Sequence, residues 1–520
     1  MRSVSQHQFS HIPRADIQRS SFDRSHTHKT TFNGGQLIPI YYEEVLPGDT
    51  HSVNMTGFCR LSTPLHPVMD NIYMNTFWFF VPNRLTWDNW VKMNGEQRNP
   101  GDSTDFLVPQ VNPPAGGFAA QSIYDYLGVP LGVGSHPINA LFLRAYNLIW
   151  NEWFRDENLQ ASVVNPVLDG PDPDTDYVLL RRGKRHDYFT SSLPWPQKGE
   201  SVSLPLGASA PIGGYFKVAT DTGTQHNVLN FGAPGTFQPS LTTASTGIAE
   251  MHADSSATGA LFADLSAATA STINQLRQAF QVQRLYERDA RGGTRYTELV
   301  RSHFGVVSPD ARLQRPEYLG GGQSPVNLHT VAQTSNTDSQ PTPLANTAAY
   351  GTAVLSRHGF SKSFTEHGVI LGLLSVRADL NYQQGLNRMW SRRSRFDYYW
   401  PALSHIGEQA VLSKEIYTDG TAGDETVWGY QERYAEYRYK PSVVTGEMRS
   451  SFPQSLDTWH LAQDFASRPL LNDVFIQDNP PISRVVAVPS EPNFIGDFYF
   501  AARAARPMPL YGVPGLIDHF

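Results

Sequence analysis

The features that most restrict the fold are short segments, near both ends of the chain, in which aromatic and β-branched residues crowd together. From Leu37 the run LIPIYYEEVL leads into a Pro47-Gly48-Asp49 turn, and Asn71 to Val81 reads NIYMNTFWFFV. Strand-like stretches return at Ser363 to Tyr382, Gln431 to Lys440, Ile482 to Val488 and Phe494 to Ala501. Such residues suit a pleated, half-buried surface. Between these groups, apolar residues at Ile138, Leu141, Phe142, Ala145, Leu148, Ile149 and Trp153 recur at three-and-four spacing, which predicts a helix with one buried face. A second helix is expected from Ser271 to Arg288, with Ile273, Leu276, Phe280 and Leu285 inward and Gly292-Gly293 closing it. Strands at both ends, with helices between them, imply one mainly β sandwich with long insertions rather than two consecutive domains. Periodicity leaves a jelly roll, an immunoglobulin-like fold and a barrel all open.

The termini and one internal segment differ from this body. Residues 1–32 carry Arg2, Arg14, Arg19, Arg24 and Lys29 against Asp16 and Asp23, with few large apolar residues, and read as a basic flexible arm. Residues 33–520 form the expected body. Within it, residues 207–270 are rich in Ala, Thr, Ser and Gly, and Lys217 is the only Lys or Arg between Ser201 and Asn274. A charge-poor stretch of this length reads as a surface insertion whose ends return to one core. The closing residues 506–520, RPMPLYGVPGLIDHF, have apolar side chains but no local core to join, and read as an extended arm packed on the body or on a neighbour.

Composition narrows the function classes. Only 17% of residues are charged and 12% are aromatic, where soluble domains average about 25% charged. A charge-poor, aromatic surface suits a subunit that hides much of itself against partners. The single cysteine, Cys59, excludes an intrachain disulfide and a multi-cysteine zinc site, and a reducing compartment fits. The longest apolar stretch, Gly368 to Val376, falls far short of the roughly 20 residues of a spanning helix, and the N-terminus has no signal-peptide core. The chain is therefore expected to be neither membrane-inserted nor secreted by a standard signal.

Two clusters carry candidate chemistry. The turn DGPDPDTDY groups Asp169, Asp172, Asp174 and Asp176, and convergent carboxylates are what a structural divalent cation such as Ca²⁺ needs. The EF-hand pattern fails there: counting from Asp172, the sixth position is Tyr177 where Gly is required, and the twelfth is Gly183 where Glu is required. Solvated Asp-Pro turn formers are the plainer reading. The segment RMWSRRSRFDYYW sets Arg388, Arg392, Arg393 and Arg395 among Trp390, Phe396, Tyr398, Tyr399 and Trp400. Cations track phosphates and aromatic faces stack on unpaired bases, so Arg388, Trp390, Arg392, Arg393 and Arg395 are candidate DNA-binding residues. The same residue types anchor protein interfaces. His7 and His11 stand at H-x3-H spacing without a third ligand. No HExxH, GxSxG, Walker or GxGxxG pattern accompanies Glu366-His367 or His405 and Glu408, so no catalytic residue and no cofactor site is assigned.

Longer blocks carry a resemblance. PLHPVMDNIYMNTFWFFVPNRLTWDNW from Pro64, RAYNLIWNEWFRDENL from Arg144, RRGKRHDYFTSSLPWPQKG from Arg181, RSHFGVVSPDARLQRPEYLGG from Arg301, SFTEHGVILGLLSVRADLNYQQGLNRMWSRR from Ser363, GYQERYAEYRYKPS from Gly429 and SLDTWHLAQDF from Ser455 resemble the major capsid proteins of the gokushovirus-type Microviridae. These are small bacteriophages with single-stranded DNA. The resemblance runs from about Phe32 to Phe520 and carries little over residues 207–270. It implies a single eight-stranded jelly roll, assembled as a homo-oligomer into a T=1 icosahedral virion shell around circular single-stranded DNA. It further implies a small basic DNA-packaging protein, scaffolding and pilot proteins, assembly in the bacterial host cytoplasm, and a three-fold protrusion facing a host-cell receptor, for which residues 207–270 are the candidate.

The net charge of −7 adds to the charge of a packaged genome, so most neutralisation must come from other molecules. Only 8 of the 41 basic residues are Lys, and forked guanidinium groups suit ordered contacts with carboxylate or phosphate. The alternative of another class is a jelly-roll carbohydrate-binding protein or glycosidase, which would stack sugars on Trp and Tyr and need a carboxylate pair that no motif marks. A free single-strand DNA-binding protein fits poorly with the acidic balance.

Overall fold

A computed structural model describes residues 18–202, 273–334 and 344–512, together with four two-residue strands between residues 212 and 263. The chain divides into two compact units, one of residues 1–196 with 293–520 and one of residues 197–292.

The first unit is built on nine strands: β1 Ser20–Asp23, β2 His26–Phe32, β3 Ile38–Val45, β4 Thr50–Leu61, β5 Ile72–Pro82, β6 Glu317–Ala332, β7 Thr347–Ser363, β8 Gly368–Ala378 and β9 Phe494–Arg506. All their pairings are antiparallel. One set runs β2-β9-β4-β7, with β1 sharing the outer edge of β9. The other runs β3-β8-β5-β6. Strand β6 links them, because Glu317–Val326 pairs with β5 and Asn327–Ala332 pairs with β7. Two sets of four in this order are the strand arrangement of a jelly roll, with β1 as a ninth strand beyond the eight that the resemblance implies.

Alternation along the strands explains the layers. Trp78 and Phe80 of β5 face a core shared with Phe32, Ile38, Met55, Leu355, Ile370, Leu374, Phe494, Phe498 and Phe500, so both strand sets contribute to it. Phe79 and Val81, on the opposite face of β5, join Leu371 and Leu373 of β8 in a second core. That outer face is covered by α1, Leu141–Ile149, which continues as one π-helical turn through Phe154. Leu141, Ala145 and Ile149 of the expected face are buried, but so are Leu143, Tyr146 and Trp150, while Phe142, Leu148 and Trp153 are half-buried and Ile138 lies in a short strand before the helix. A third core of Tyr188, Phe189, Tyr382, Val411, Ile416, Trp428 and Phe475 lies under the long β8–β9 connection.

Several expectations are corrected. The sheet begins at Ser20, inside the span read as a flexible arm, because polar His26–Phe32 is held by pairing along β9 and needs no apolar pattern of its own. Strand character in residues 431–440 stops at Glu432: Tyr434 takes a positive φ and Ala435–Tyr437 forms a 3-10 turn. Residues 482–488 open with a 3-10 turn at Ile482–Arg484, which sends Ile482, Val485 and Val486 into the shared core at a helical rather than alternating spacing. The second helix is present as α2, Ile273–Gly292. Its supposed inward residues Ile273, Leu276, Phe280 and Leu285 are instead exposed, since periodicity shows that a helix has an apolar face and not that a neighbour covers it. The last described residues, 507–512, carry exposed Met508, Leu510 and Tyr511. Residues 207–270 lie outside the described residues except for the short pairs Ile212–Gly213 with Phe262–Ala263 and Tyr215–Phe216 with His226–Asn227. The other ends of the terminal arms, 1–17 and 513–520, including His7 and His11, also lie outside them.

Candidate interaction surface

The four aspartates do not converge. Asp172 is buried, and both its carboxylate oxygens are taken by Arg144, whose Nε and Nη2 donate at 2.7 and 2.6 Å. The Tyr177 hydroxyl adds a third bond at 2.5 Å. Asp169 instead accepts from Trp87 Nε1 at 2.7 Å and Asn89 Nδ2 at 2.8 Å, and these bonds, Asn89 first, hold its carboxyl below its ordinary value. Asp174 and Asp176 lie in a partly exposed 3-10 turn. Among the described residues no group of three or more His, Cys, Asp or Glu is arranged to hold a metal ion. Glu366 pairs with Arg84 at 2.6 Å, and His367 packs edge-on to Trp90.

The Arg and aromatic segment lies in the β8–β9 connection, folded as two 3-10 turns, Arg388–Ser391 and Arg395–Asp397. Asn387 caps the first by accepting from Met389 N–H at 3.0 Å. Asp397 organises the second by accepting from the Ser394 and Arg393 N–H groups at 2.7 and 2.9 Å, bonds that lower its carboxyl pKa. The turns rest against an antiparallel ladder of Glu408–Leu412 with Val427–Glu432.

The arginines separate into two kinds. Arg388 Nη1 donates to Ala410 O at 2.7 Å and Glu415 Oε1 at 3.0 Å. Glu415 is buried, which pushes its carboxyl up against the opposing pull of Arg388. Arg392 Nη2 donates to Glu436 Oε1 at 3.1 Å, and its guanidinium lies 4.1 Å from the Tyr437 ring centre. Both cations are committed to internal carboxylates. Arg393 and Arg395 are exposed, and among the described residues neither makes an ion pair; Arg395 stacks over Trp400 at 4.7 Å. Arg433, absent from the sequence expectation, is half-buried and also makes no ion pair among the described residues; its Nη2 donates to Phe396 O at 3.5 Å and its guanidinium lies 4.8 Å from the Tyr434 ring centre. Its only sequence signal was proximity to other Arg and Tyr residues. Trp390 is 72% exposed and Phe396 63%, with Tyr398, Tyr399 and Trp400 also exposed. Between the turns, the ladder and residues 414–425 opens a cleft of roughly 750 Å³, lined by Trp390, Arg393, Phe396, Lys414, Arg433 and Tyr434 above a floor of the Arg388 and Arg392 ion pairs.

A surface of uncommitted cations and bare aromatic faces is equipped for association. Comparison with known proteins agrees. The profile of the family described as Capsid protein (F protein) matches residues 10–516. The chain is 50% identical over 528 residues to capsid protein VP1 of Bdellovibrio phage phiMH2K, covering 99% of this chain and 98% of that protein. It is 45% identical over 590 residues to capsid protein VP1 of Chlamydia phage 1, covering 99% and 98%, and 37% identical over 542 residues to capsid protein VP1 of Spiroplasma virus 4, covering 98% and 97%. Similarity of this extent leaves no separate region for a glycosidase or a lectin. The match spanning nearly every residue shows that the chain belongs to the capsid protein (F protein) family and is a structural, non-enzymatic major capsid protein.

Proposed function

We propose that the protein self-associates into a closed T=1 icosahedral shell around circular single-stranded DNA. The observation that carries this reading is the end-to-end match to capsid protein VP1 of three phages, over a chain whose described surface leaves large aromatic residues bare. Identical subunits that meet by heterologous contacts close when the rotation closes, and a rigid β body with long connections provides such contacts. With a net charge of −7, the shell cannot neutralise the genome by itself, so a small basic packaging protein and free cations supply the balance. Scaffolding and pilot proteins and assembly in the host cytoplasm belong to the same proposal.

Negative-stain electron microscopy and sedimentation of the protein, expressed alone and with its viral partners, test the shell. Uniform icosahedral particles in either condition support it; a stable monomer in both, with partner expression verified, overturns it. Residues 207–270 are proposed as the host-attachment insertion. Deleting residues 223–257 is expected to preserve shells and reduce adsorption to the host, and unchanged adsorption by those particles would refute the attachment role.

A further inference from the structure

The cleft between the Arg388–Asp397 turns and the Glu408–Leu412 ladder concentrates unused hydrogen-bonding capacity. Ser391 Oγ, Arg392 Nε, Arg433 Nε and the Tyr434 hydroxyl are buried polar atoms without a partner, and all four belong to residues lining this cleft. Each can donate a hydrogen bond, and a buried polar group left unpaired is destabilising. Tyr434 carries a second cost, a φ of 62° in the left-handed region on a bulky aromatic residue that is 3% exposed. Strain of this kind persists where surrounding structure enforces it, most often at binding sites.

The lining holds as many cations (Arg388, Arg392, Arg393, Lys414 and Arg433) as carboxylates, so the difference lies in how each is engaged. Five carboxylates line the cleft, and all are engaged: Glu415 with Arg388, Glu436 with Arg392, Asp424 with Arg468 at 2.9 Å, Glu425 with Lys414 at 2.6 Å, and Asp397 with backbone N–H groups. Arg393 and Arg433 line it without an ion pair among the described residues. The buried lining groups left without a partner can therefore all donate, and the exposed rings of Trp390 and Phe396 line the same cleft. The complement is a ligand that joins an acceptor-rich anion to a flat ring, in a volume within the usual 300–1,000 Å³ of small-ligand sites.

We propose that this cleft seats a nucleotide of single-stranded nucleic acid, its phosphate toward Arg393, Arg433 and the Ser391 and Tyr434 hydroxyls and its base against Trp390 and Phe396. The assignment deepens, and rests on, the reading of the protein as a shell around single-stranded DNA. It also redistributes the roles suggested by the sequence. Arg388 and Arg392 are positioning residues that hold the floor through Glu415 and Glu436, while Ser391, Arg433 and Tyr434 join the contact set.

The test uses unassembled full-length subunits and a short fluorescein-labelled oligothymidylate, read by anisotropy. Binding should be saturable and weaken with salt. Trp390→Ala and Arg433→Gln should each lower affinity by roughly 5- to 100-fold, the range of one stacked base or one charged contact. Tyr434→Phe removes only the unpaired hydroxyl and should lower affinity severalfold with an unchanged thermal midpoint, which separates contact from folding. Arg393→Gln should reduce the slope of log affinity against log salt by about 0.7. An abasic oligomer should retain the Arg433 dependence and lose that of Trp390. Affinity indifferent to all four substitutions overturns the site. So does a set of variants that bind normally but no longer form shells, which would make the cleft a contact between subunits. Shell formation by the wild-type protein is scored independently by microscopy, so failure of the nucleotide site and failure of the capsid reading give different results.

Discussion

At the scale of single residues, burial decides what a charged side chain does. Asp172 looked from its neighbours like one ligand among four, yet it is the anchor of a buried pair with Arg144, whose side chain is fully enclosed. Removing one partner of such a pair leaves an uncompensated buried charge. Asp172→Asn is therefore expected to cost about 3–5 kcal/mol in chemical denaturation, and a loss below about 1 kcal/mol would show that the pair is not the anchor described. Asp478 offers a pH-dependent counterpart. Burial, opposed by Arg182, Lys184, Arg377 and Arg181, pushes its carboxyl from 3.8 up to about 6. Between those values the folded chain holds a proton that the unfolded chain has released, so this residue's contribution to stability falls as pH rises through the window. The difference in stability between wild type and Asp478→Asn should shift against the wild type from pH 3.8 to about 6. A difference that stays flat across that range would contradict the raised carboxyl.

At the scale of elements, legibility follows the composition of each strand. β5 and β8 are recognisable because both their faces are buried and nearly every residue is apolar. β4, β6 and β7 carry no such continuous apolar run. β4 alternates strictly between buried and exposed, but its inward positions include His51 and Gly57, and β6 contains Gly320-Gly321-Gly322. Gly57 is needed for packing: a Cβ there would come within 2.6 Å of the Phe498 ring, which lies across the β4–β9 ladder, where Phe498 pairs with Gly57. The strand signal was weakened by the residue that lets an aromatic ring fit. Along β9, Phe494, Phe498 and Phe500 face the shared core, while Ile495, Asp497 and Tyr499 face outward. Phe498→Ala is expected to cost about 3–5 kcal/mol and Tyr499→Ala about 0.5 kcal/mol or less in isolated subunits, compared by denaturant midpoints. Equal losses would mean that the alternation does not set the energetics of this strand.

At the scale of the whole molecule, the two ends of the chain meet in one sheet: Phe32 pairs with Phe494 and Thr31 with Ile495, and β9 lies between β2 and β4. A chain ending at residue 493 would lose the strand that supports both, leaving β4 with a bare edge. It is expected to aggregate or to unfold without a cooperative transition, as followed by circular dichroism; a cooperative transition matching that of the full chain would refute the closing role of β9. The sequence alone determined the mainly β character, the α1 helix and, through long blocks of resemblance, membership of a capsid lineage. Those are properties of consecutive residues, where apolar period and local wording survive without coordinates. Tertiary structure alone decided the strand order, the ninth strand and the sorting of the arginines. Glu415 and Glu436 neutralise Arg388 and Arg392 from 27 and 44 residues further along the chain, while Arg393 and Arg395, in the same segment, remain exposed. Coulomb energy depends on separation in space and on burial, and neither is written in the spacing of residues along a chain.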